Sequence, residues 1–287
     1  MSTTPTATAS GTFSLGDDLE VSRLGFGTMQ FPGPGVWGES KDPAEAIRVL
    51  RRAVELGVDF IDTADAYGPV VAEPLIKEAL HPYDEGLVIA TKVGFTRQGP
   101  GKWTPVGRPA YLRQQTEMCL RNLGLDRIEL MQLHRIDPEV PLEDQVGELA
   151  ALQSEGKIHH IGLSEISVEQ LEEAQKVATI VSVQNRFNLA DRAAEPLLEY
   201  AQANGIGFIP WFPLATGKLA GSGGPLDELA EEQNATPSQL ALAWLLARSP
   251  AMLPIPGTSS VAHLEENVAA AELDLSADTV EAIGAAA

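Results

Sequence analysis

Cysteine, positive charge and long apolar runs are all scarce in this 287-residue chain. Its one cysteine, Cys119, excludes an intrachain disulfide framework and any zinc site built on several thiolates. Lys and Arg number 20 against 40 Asp and Glu, a formal net charge of −20. A field of that sign repels phosphate at long range, so the composition argues against a general binder of nucleic acid or of anionic membrane. Any anionic ligand must then be held by local geometry. No apolar stretch reaches the roughly 20 residues that a membrane-spanning helix needs. Met1 to Gly11 is rich in Ser, Thr and Ala, with no basic segment and no apolar one. It is expected to form a short disordered arm rather than a signal peptide, which makes the expected location cytoplasmic. What the chain does have is a core-forming composition, 44% hydrophobic.

After the arm, Thr12–Leu15 and Leu19–Val21 alternate around Gly16-Asp17-Asp18, a hairpin signal. A second pattern then recurs eight times: a short apolar run that ends in polar or Gly residues, followed by an amphipathic stretch. The runs are Leu24–Gly27, Phe60–Asp62, Val88–Lys92, Leu130–His134, Ile158–Leu163, Ile180–Gln184, Gly207–Trp211 and Met252–Ile255. Asp42-Pro43-Ala44-Glu45 is a capping box with proline at the first helical position, and Ile47, Leu50 and Val54 mark the helix face it opens. Alternating strand and helix implies a parallel sheet. Eight evenly spaced units fit the ~250 residues typical of a (β/α)8 TIM barrel better than a doubly wound open sheet. The expected fold is therefore α/β, one barrel domain over residues 12–287, with the N-terminal β-hairpin closing the bottom. In such a barrel, residues at the C-terminal ends of the strands face the active site.

The second run ends in Asp62, the third in Lys92 and the fourth in His134, with Tyr67 close behind Asp62. Alone, each has an ordinary structural explanation: a loop cap, a snorkelling lysine, a core histidine. Three consecutive strands that deliver Asp, Lys and His to one rim beside a phenol do not. A Lys–Asp pair favours phenolate, which would bring a Tyr with reference pKa of about 10 into use as a proton donor near neutral pH.

The segment Gly57-Val58-Asp59-Phe60-Ile61-Asp62-Thr63-Ala64-Asp65-Ala66-Tyr67-Gly68 resembles the signature of the aldo-keto reductases, and the likeness extends from about Leu24 to Asn267. The resemblance implies an NADPH-dependent carbonyl reductase with Asp62, Tyr67, Lys92 and His134 as its catalytic tetrad. It places Gly27, Thr28, Met29 and Asp62 against the cofactor, and Ser164, Glu165 and Gln184 around the nicotinamide carboxamide. Trp211 would stack on the nicotinamide. Phe212, Pro213, Leu214, Gly217 and Lys218 would form the pyrophosphate loop. Gly257, Thr258, Ser259 and His263 would hold the adenosine 2′-phosphate at a helix start, with Glu266 and Asn267 on the adenine. Two positions depart from the family pattern: its usual Ser-Asn pair is Ser164-Glu165 here, and the arginine commonly facing the 2′-phosphate is His263. The loops Met29-Gln30, Pro32–Gly38 and Ile255–Ser260 are most similar to those of the bacterial pyridoxal reductase branch. Expected substrate walls are Phe31, Trp37, Trp103 and Arg135. The short stretch after Asn267 suggests an open pocket suited to small aldehydes, pyridoxal among them. The expected partner is that small carbonyl substrate, on a monomer or weak homo-oligomer.

Three signals point elsewhere. Gly33-Pro34-Gly35-Val36-Trp37-Gly38 fits a dinucleotide-binding fingerprint but begins well after the first run and ends before the first cap, so it reads as a substrate loop. His159-His160 looks like a metal pair, yet neighbours in a strand point to opposite faces, and no metal site is expected. Cys119 falls on the apolar side of a helix and reads as inert core. Two other readings of the chain stand beside the reductase: a metal-dependent barrel hydrolase using Asp62 and His134, and a non-enzymatic nucleotide-binding subunit that senses redox state.

Overall fold

The structure, a computed structural model, describes residues 5–214 and 226–286. The hairpin forms as expected: β1 (Thr12–Leu15) pairs antiparallel with β2 (Leu19–Ser22). Next come β3 (Phe26–Gly27), β4 (Phe60–Asp62), β5 (Val88–Val93), β6 (Phe95–Arg97), β7 (Trp103–Pro105), β8 (Ile128–Leu133), β9 (Ile158–Ser164), β10 (Ile180–Arg186) and β11 (Gly207–Trp211). Seven of these strands form one parallel sheet, ordered β11-β10-β9-β8-β5-β4-β3, while β6 and β7 are an antiparallel ribbon thrown out from the top of β5.

The eighth apolar run closes the barrel without forming a regular ladder. On one side Phe208 donates to Ala251 O and Leu253 donates to Phe208 O, both at 2.8 Å. On the other, Gly25 donates to Pro254 O at 3.0 Å and Gly27 to Pro256 O at 3.4 Å. Pro254 and Pro256 have no N–H to return, so on this second side Gly25 and Gly27 only donate. The chains approach closely there: a Cβ on Gly27 would lie 2.7 Å from Ile255 O. At the bottom, Leu15 and Val21 of the hairpin are fully buried in one cluster with Phe60, Val88, Leu130, Val181, Ile209 and Leu253. The hairpin is thus the floor of the barrel.

Among the described residues, ten helices complete the outer layer: α1 (Pro43–Glu55), α2 (Ala72–Leu80), α3 (Pro109–Leu123), α4 (Leu142–Ser154), α5 (Val168–Ala174), α6 (Glu195–Ala203), α7 (Asp227–Glu232), α8 (Pro237–Arg248), α9 (Val261–Ala269) and α10 (Ala277–Ala286). The main core lies between helices and sheet, where Val146, Leu149 and Leu152 of α4 join Met131, Leu133 and Ile161. Asp42 caps α1 by accepting from Glu45 N–H at 2.9 Å. The reciprocal half of the expected box is not made, because the Glu45 carboxylate accepts from Val261 N–H at the start of α9, at 3.2 Å. The buried face of α1 is Ala46, Val49, Leu50 and Ala53. Among the described residues, no helix is long and apolar enough to cross a membrane.

Two expectations are corrected here. Residues 5–11 of the arm are ordered: Ala7–Ser10 forms a 3-10 turn, Ala7 is fully buried, and its N–H donates to Leu56 O at 2.8 Å. Ser10 Oγ donates to Ala7 O at 2.7 Å and accepts from Leu24 N–H at 3.0 Å. Small side chains let the turn dock flat against the end of α1, and its backbone finds partners there. The second correction concerns His159 and His160, which do not point apart. Both Nε2 atoms turn to Asp18 in the hairpin turn, at 3.0 and 2.8 Å. A carboxylate with one oxygen for each ring draws both imidazoles to one side of the strand start.

Candidate active site

Asp62 ends β4, Lys92 lies near the end of β5 and His134 follows β8, so three neighbouring parallel strands bring them to one rim. Lys92 and Asp62 are completely buried and paired, Nζ to Oδ1, at 2.5 Å. Lys92 Nζ also donates to Thr63 O at 2.8 Å and to Tyr67 Oη at 3.0 Å. Asp62 Oδ2 accepts from Gln132 Nε2 at 2.9 Å and Gln184 Nε2 at 3.0 Å. Both oxygens of this carboxylate thus accept from protein donors, one of them an ammonium. That holds a charge pair in place and does not suit the divalent cation of a barrel hydrolase. Gln132 went unnoticed in the sequence; as a polar residue two before His134 in an apolar strand, it shares that residue's face.

Burial dominates the acid–base state of the phenol. It pushes the Tyr67 hydroxyl above its ordinary pKa, and the nearby Lys92 charge only partly offsets this. The expectation that Lys92 would bring the phenol down is corrected: Tyr67 stays protonated. For Lys92 burial works against the charge, but Asp62 and Tyr67 outweigh it and hold the ammonium protonated. Burial, followed by the charges of Lys92, Arg135 and Arg97, lowers the His134 imidazole well below its usual value, so it is neutral. Its Nδ1 is buried without a hydrogen-bond partner. The ring stands edge-on to Phe95 at 4.6 Å and to Tyr67 at 5.9 Å between centroids.

Two cavities meet at Tyr67. The first, about 330 Å3, is lined by residues 27–30, 211–214 and 255–257 and also by Asp62 and Gln184. The second, about 510 Å3 and largely apolar, is lined by Phe95, Trp103, Pro105, His134, Arg135 and Ser164. Met29, Tyr67, Gln184 and Trp211 belong to both. Of the expected substrate walls, Trp103 and Arg135 line this second cavity. Phe31 is not: it is 2% exposed and packs on Phe26 in the core beneath α1. Trp37 bridges to Gly68, and its neighbour Val36, in the left-handed region at φ 54°, lines the cavity instead. Arg97, also unnoticed in the sequence, fastens this loop. Its guanidinium donates to Gly35 O, Val36 O, Ala66 O and Lys102 O at 2.8, 2.8, 2.6 and 2.9 Å, and lies 3.5 Å from the Trp103 ring centre.

Residues 23–287 match the Aldo/keto reductase family. This chain belongs to the aldo/keto reductase family. It is 53% identical over 272 residues to an uncharacterised oxidoreductase of Schizosaccharomyces pombe, covering 95% of this chain and 88% of the relative. It is 44% identical over 281 residues to pyridoxine 4-dehydrogenase of Escherichia coli, covering 96% and 98%. Among solved structures, an aldo-keto reductase from Klebsiella pneumoniae in complex with NADPH superposes with a TM-score of 0.82 at 26% identity, covering 95% of this chain and 93% of that one. The protein is thus an oxidoreductase built on the family's barrel.

Other residues that the family resemblance singled out are dispersed around this aldo/keto reductase rim. Gly27, Thr28, Met29, Trp211, Phe212, Pro213, Leu214 and Gly257 line the first cavity, and Ser164 lines the second. Thr28 Oγ1 also bonds Thr63 Oγ1 at 2.8 Å. Thr258 Oγ1 accepts from Ser260 N–H at 3.1 Å just before α9, while Ser259 borders a neighbouring hollow with Lys41. His263 is exposed on α9, Asn267 is buried, and the Glu266 carboxylate accepts from Thr236 Oγ1 at 2.7 Å. Gly217 and Lys218 lie outside the described residues. Glu165 departs from its expected role. At φ 55° its backbone turns the side chain toward β11, where Oε1 accepts from Trp211 Nε1 at 2.5 Å and Arg186 N–H at 2.7 Å. It orients the Trp211 indole and lines neither cavity.

Beside the Asp62–Lys92 pair lies a second buried acid, Asp65. Its Oδ2 accepts from Gln115 at 3.0 Å, but Oδ1 has no partner. Burial, reinforced by Glu73, pushes its pKa up to about 8. Because the folded value lies above the unfolded one near 4, the proton is gained on folding; stability is full below pH ~4 and declines as pH rises to about 8. Asp65→Asn should remove that loss. Thermal melts from pH 5 to 9 are expected to show the variant overtaking the parent at the alkaline end; parallel curves would contradict the buried proton.

Proposed function

We propose that the chain reduces small aldehydes or ketones to alcohols with NADPH, pyridoxal among the substrates, and that Tyr67 is the general acid. The observation that carries this reading is the buried Asp62–Lys92–Tyr67 chain opening, beside a neutral His134, where the two cavities meet. The residues present fit a dinucleotide. The first cavity lies between three chain segments, 27–30, 211–214 and 255–257, Trp211 among them, and the Gln184 Oε1 has no partner among the described residues, leaving an acceptor for a carboxamide NH2. The Klebsiella relative with NADPH and the pyridoxine 4-dehydrogenase relative support the cofactor and the substrate class.

When bound, the nicotinamide supplies a hydride to the carbonyl carbon. Tyr67 gives its hydroxyl proton to the carbonyl oxygen as negative charge grows there. Lys92, 3.0 Å away, stabilises the phenolate left behind, and Asp62 keeps Lys92 charged and aimed. Neutral His134 donates a hydrogen bond to the same oxygen and so orients the carbonyl. Phe95, Trp103 and Met29 exclude water around them.

At the far end, Gly257, Thr258, Ser259 and the first turn of α9 would take the adenosine 2′-phosphate, with Lys41 beside Ser259 as a nearby cation. Glu45 works against this by placing a carboxylate on Val261 N–H. NADPH is expected to bind more tightly than NADH, and Glu45→Gln to widen the gap by roughly two- to fivefold at low salt, the size of one charge at a helix end. Fluorescence titration with both cofactors checks this; an equal shift for both would contradict it. The reaction itself is tested by following NADPH oxidation over an aldehyde panel that includes pyridoxal. Turnover of pyridoxal or another small aldehyde is expected. Tight NADPH binding with no turnover of any carbonyl would favour the redox-sensing subunit instead.

A further inference from the structure

Beneath the barrel floor, at the end opposite the catalytic rim, three ligand-type side chains converge. Asp18 Oδ2 accepts from His159 Nε2 at 3.0 Å and Asp18 Oδ1 from His160 Nε2 at 2.8 Å. The two rings lie 4.1 Å apart between centroids, tilted by 53°. One atom from each residue falls within 4.8 Å of the other two, and among the described residues this is the only such group of three. The proposed reaction uses none of them.

We propose that Asp18, His159 and His160 bind one transition-metal cation of the Zn2+ class, which fastens the N-terminal hairpin to the first residues of β9. Two imidazoles and a carboxylate are a three-ligand set suited to zinc, with a water in the fourth position, and are too nitrogen-rich for Mg2+ or Ca2+. An ionised carboxylate only accepts hydrogen bonds, so each Nε2 here carries the proton it donates. A cation bound at Nε2 takes each ring as its other neutral tautomer, the proton moving to Nδ1 through solvent, and so uses both Nε2 atoms and one Asp18 oxygen. Zinc–ligand bonds of about 2.0–2.2 Å in a tetrahedron put ligand atoms roughly 3.3–3.6 Å apart, inside the 4.8 Å that already encloses one atom from each residue.

The surroundings favour this placement. The hairpin turn reaches the rings because Gly16, at φ 65°, leaves room: a Cβ there would lie 2.7 Å from His160 Cε1. The turn is thus seated against the ring that would become a ligand. His159 and His160 side chains are 28% and 13% exposed, which gives a cation an entry path without a conformational opening. The chain's formal charge of −20 draws cations toward its surface.

The test uses the full chain without a histidine tag, stripped with EDTA and dialysed, then titrated with Zn2+ against a chromophoric chelator. One equivalent per chain is expected. His159→Gln and His160→Gln should each weaken binding at least tenfold, whereas His81→Gln should leave it unchanged. Zn2+ should also raise the melting temperature of the parent and not that of the His159→Gln/His160→Gln double variant. Should a histidine variant fold poorly, Asp18→Asn, which keeps both rings, must show the same loss of affinity. No stoichiometric Zn2+ uptake, or uptake that the His159, His160 and Asp18 variants retain, would overturn the proposal.

Discussion

Replacing Tyr67 by Phe is expected to cut turnover by roughly 10²–10⁴-fold, the usual worth of a positioned general acid. The phenol is 5% exposed, and its hydroxyl meets Lys92 at 3.0 Å, on the wall shared by both cavities. Removing one oxygen leaves the ring contacts with Trp103 and His134 intact. The cavity keeps its shape, so NADPH affinity should change by no more than a few-fold. Steady-state kinetics and a cofactor titration read the two effects separately. A variant that retains half the parent rate would remove Tyr67 from the chemistry.

Lys92→Met should be as damaging to turnover and, unlike Tyr67→Phe, should also destabilise the fold. Lys92 and Asp62 are fully buried, and losing one partner leaves an uncompensated charge, at a cost of about 3–5 kcal/mol for such pairs. Turnover falls for a second reason, since nothing then stabilises the phenolate as Tyr67 gives up its proton. Lys92→Met/Asp62→Asn separates the two roles: neutralising the stranded carboxylate should recover much of the lost melting temperature and none of the rate. If Lys92→Met melts like the parent, or if the double variant regains activity, the pair is not what positions and polarises Tyr67.

The barrel and its rim were legible because both follow from regular features. Apolar runs at even spacing are the parallel strands. Strand ends face one side, so Asp62, Lys92 and His134 were placed together before any distance was known, and the family likeness agrees. The eighth run was also readable, although two prolines limit its hydrogen bonds. What escaped depends on side-chain direction or on segments far apart in the chain. Phe31 and Trp37 stand in a glycine-rich loop whose path is set by Arg97, 60 residues later. The positive φ of Glu165 sends its carboxylate to Trp211, away from both cavities. Rings at His159 and His160 that should diverge are gathered by Asp18, and the Ala7 turn finds its partner at the end of α1. The protonation of Tyr67 is a balance between desolvation and a neighbouring charge, and a sequence shows the charge but not the burial.

In the proposed mechanism Tyr67 donates the proton at the junction of the two cavities while Lys92 stabilises the phenolate. Single-turnover mixing tests it directly: protein preloaded with NADPH is mixed with excess aldehyde, and loss of nicotinamide fluorescence is followed. The parent chain should lose the signal in one fast phase whose rate falls at least a hundredfold in Tyr67→Phe, with the starting fluorescence of bound NADPH unchanged. Oxidation of bound NADPH at the same rate in Tyr67→Phe and parent would contradict it.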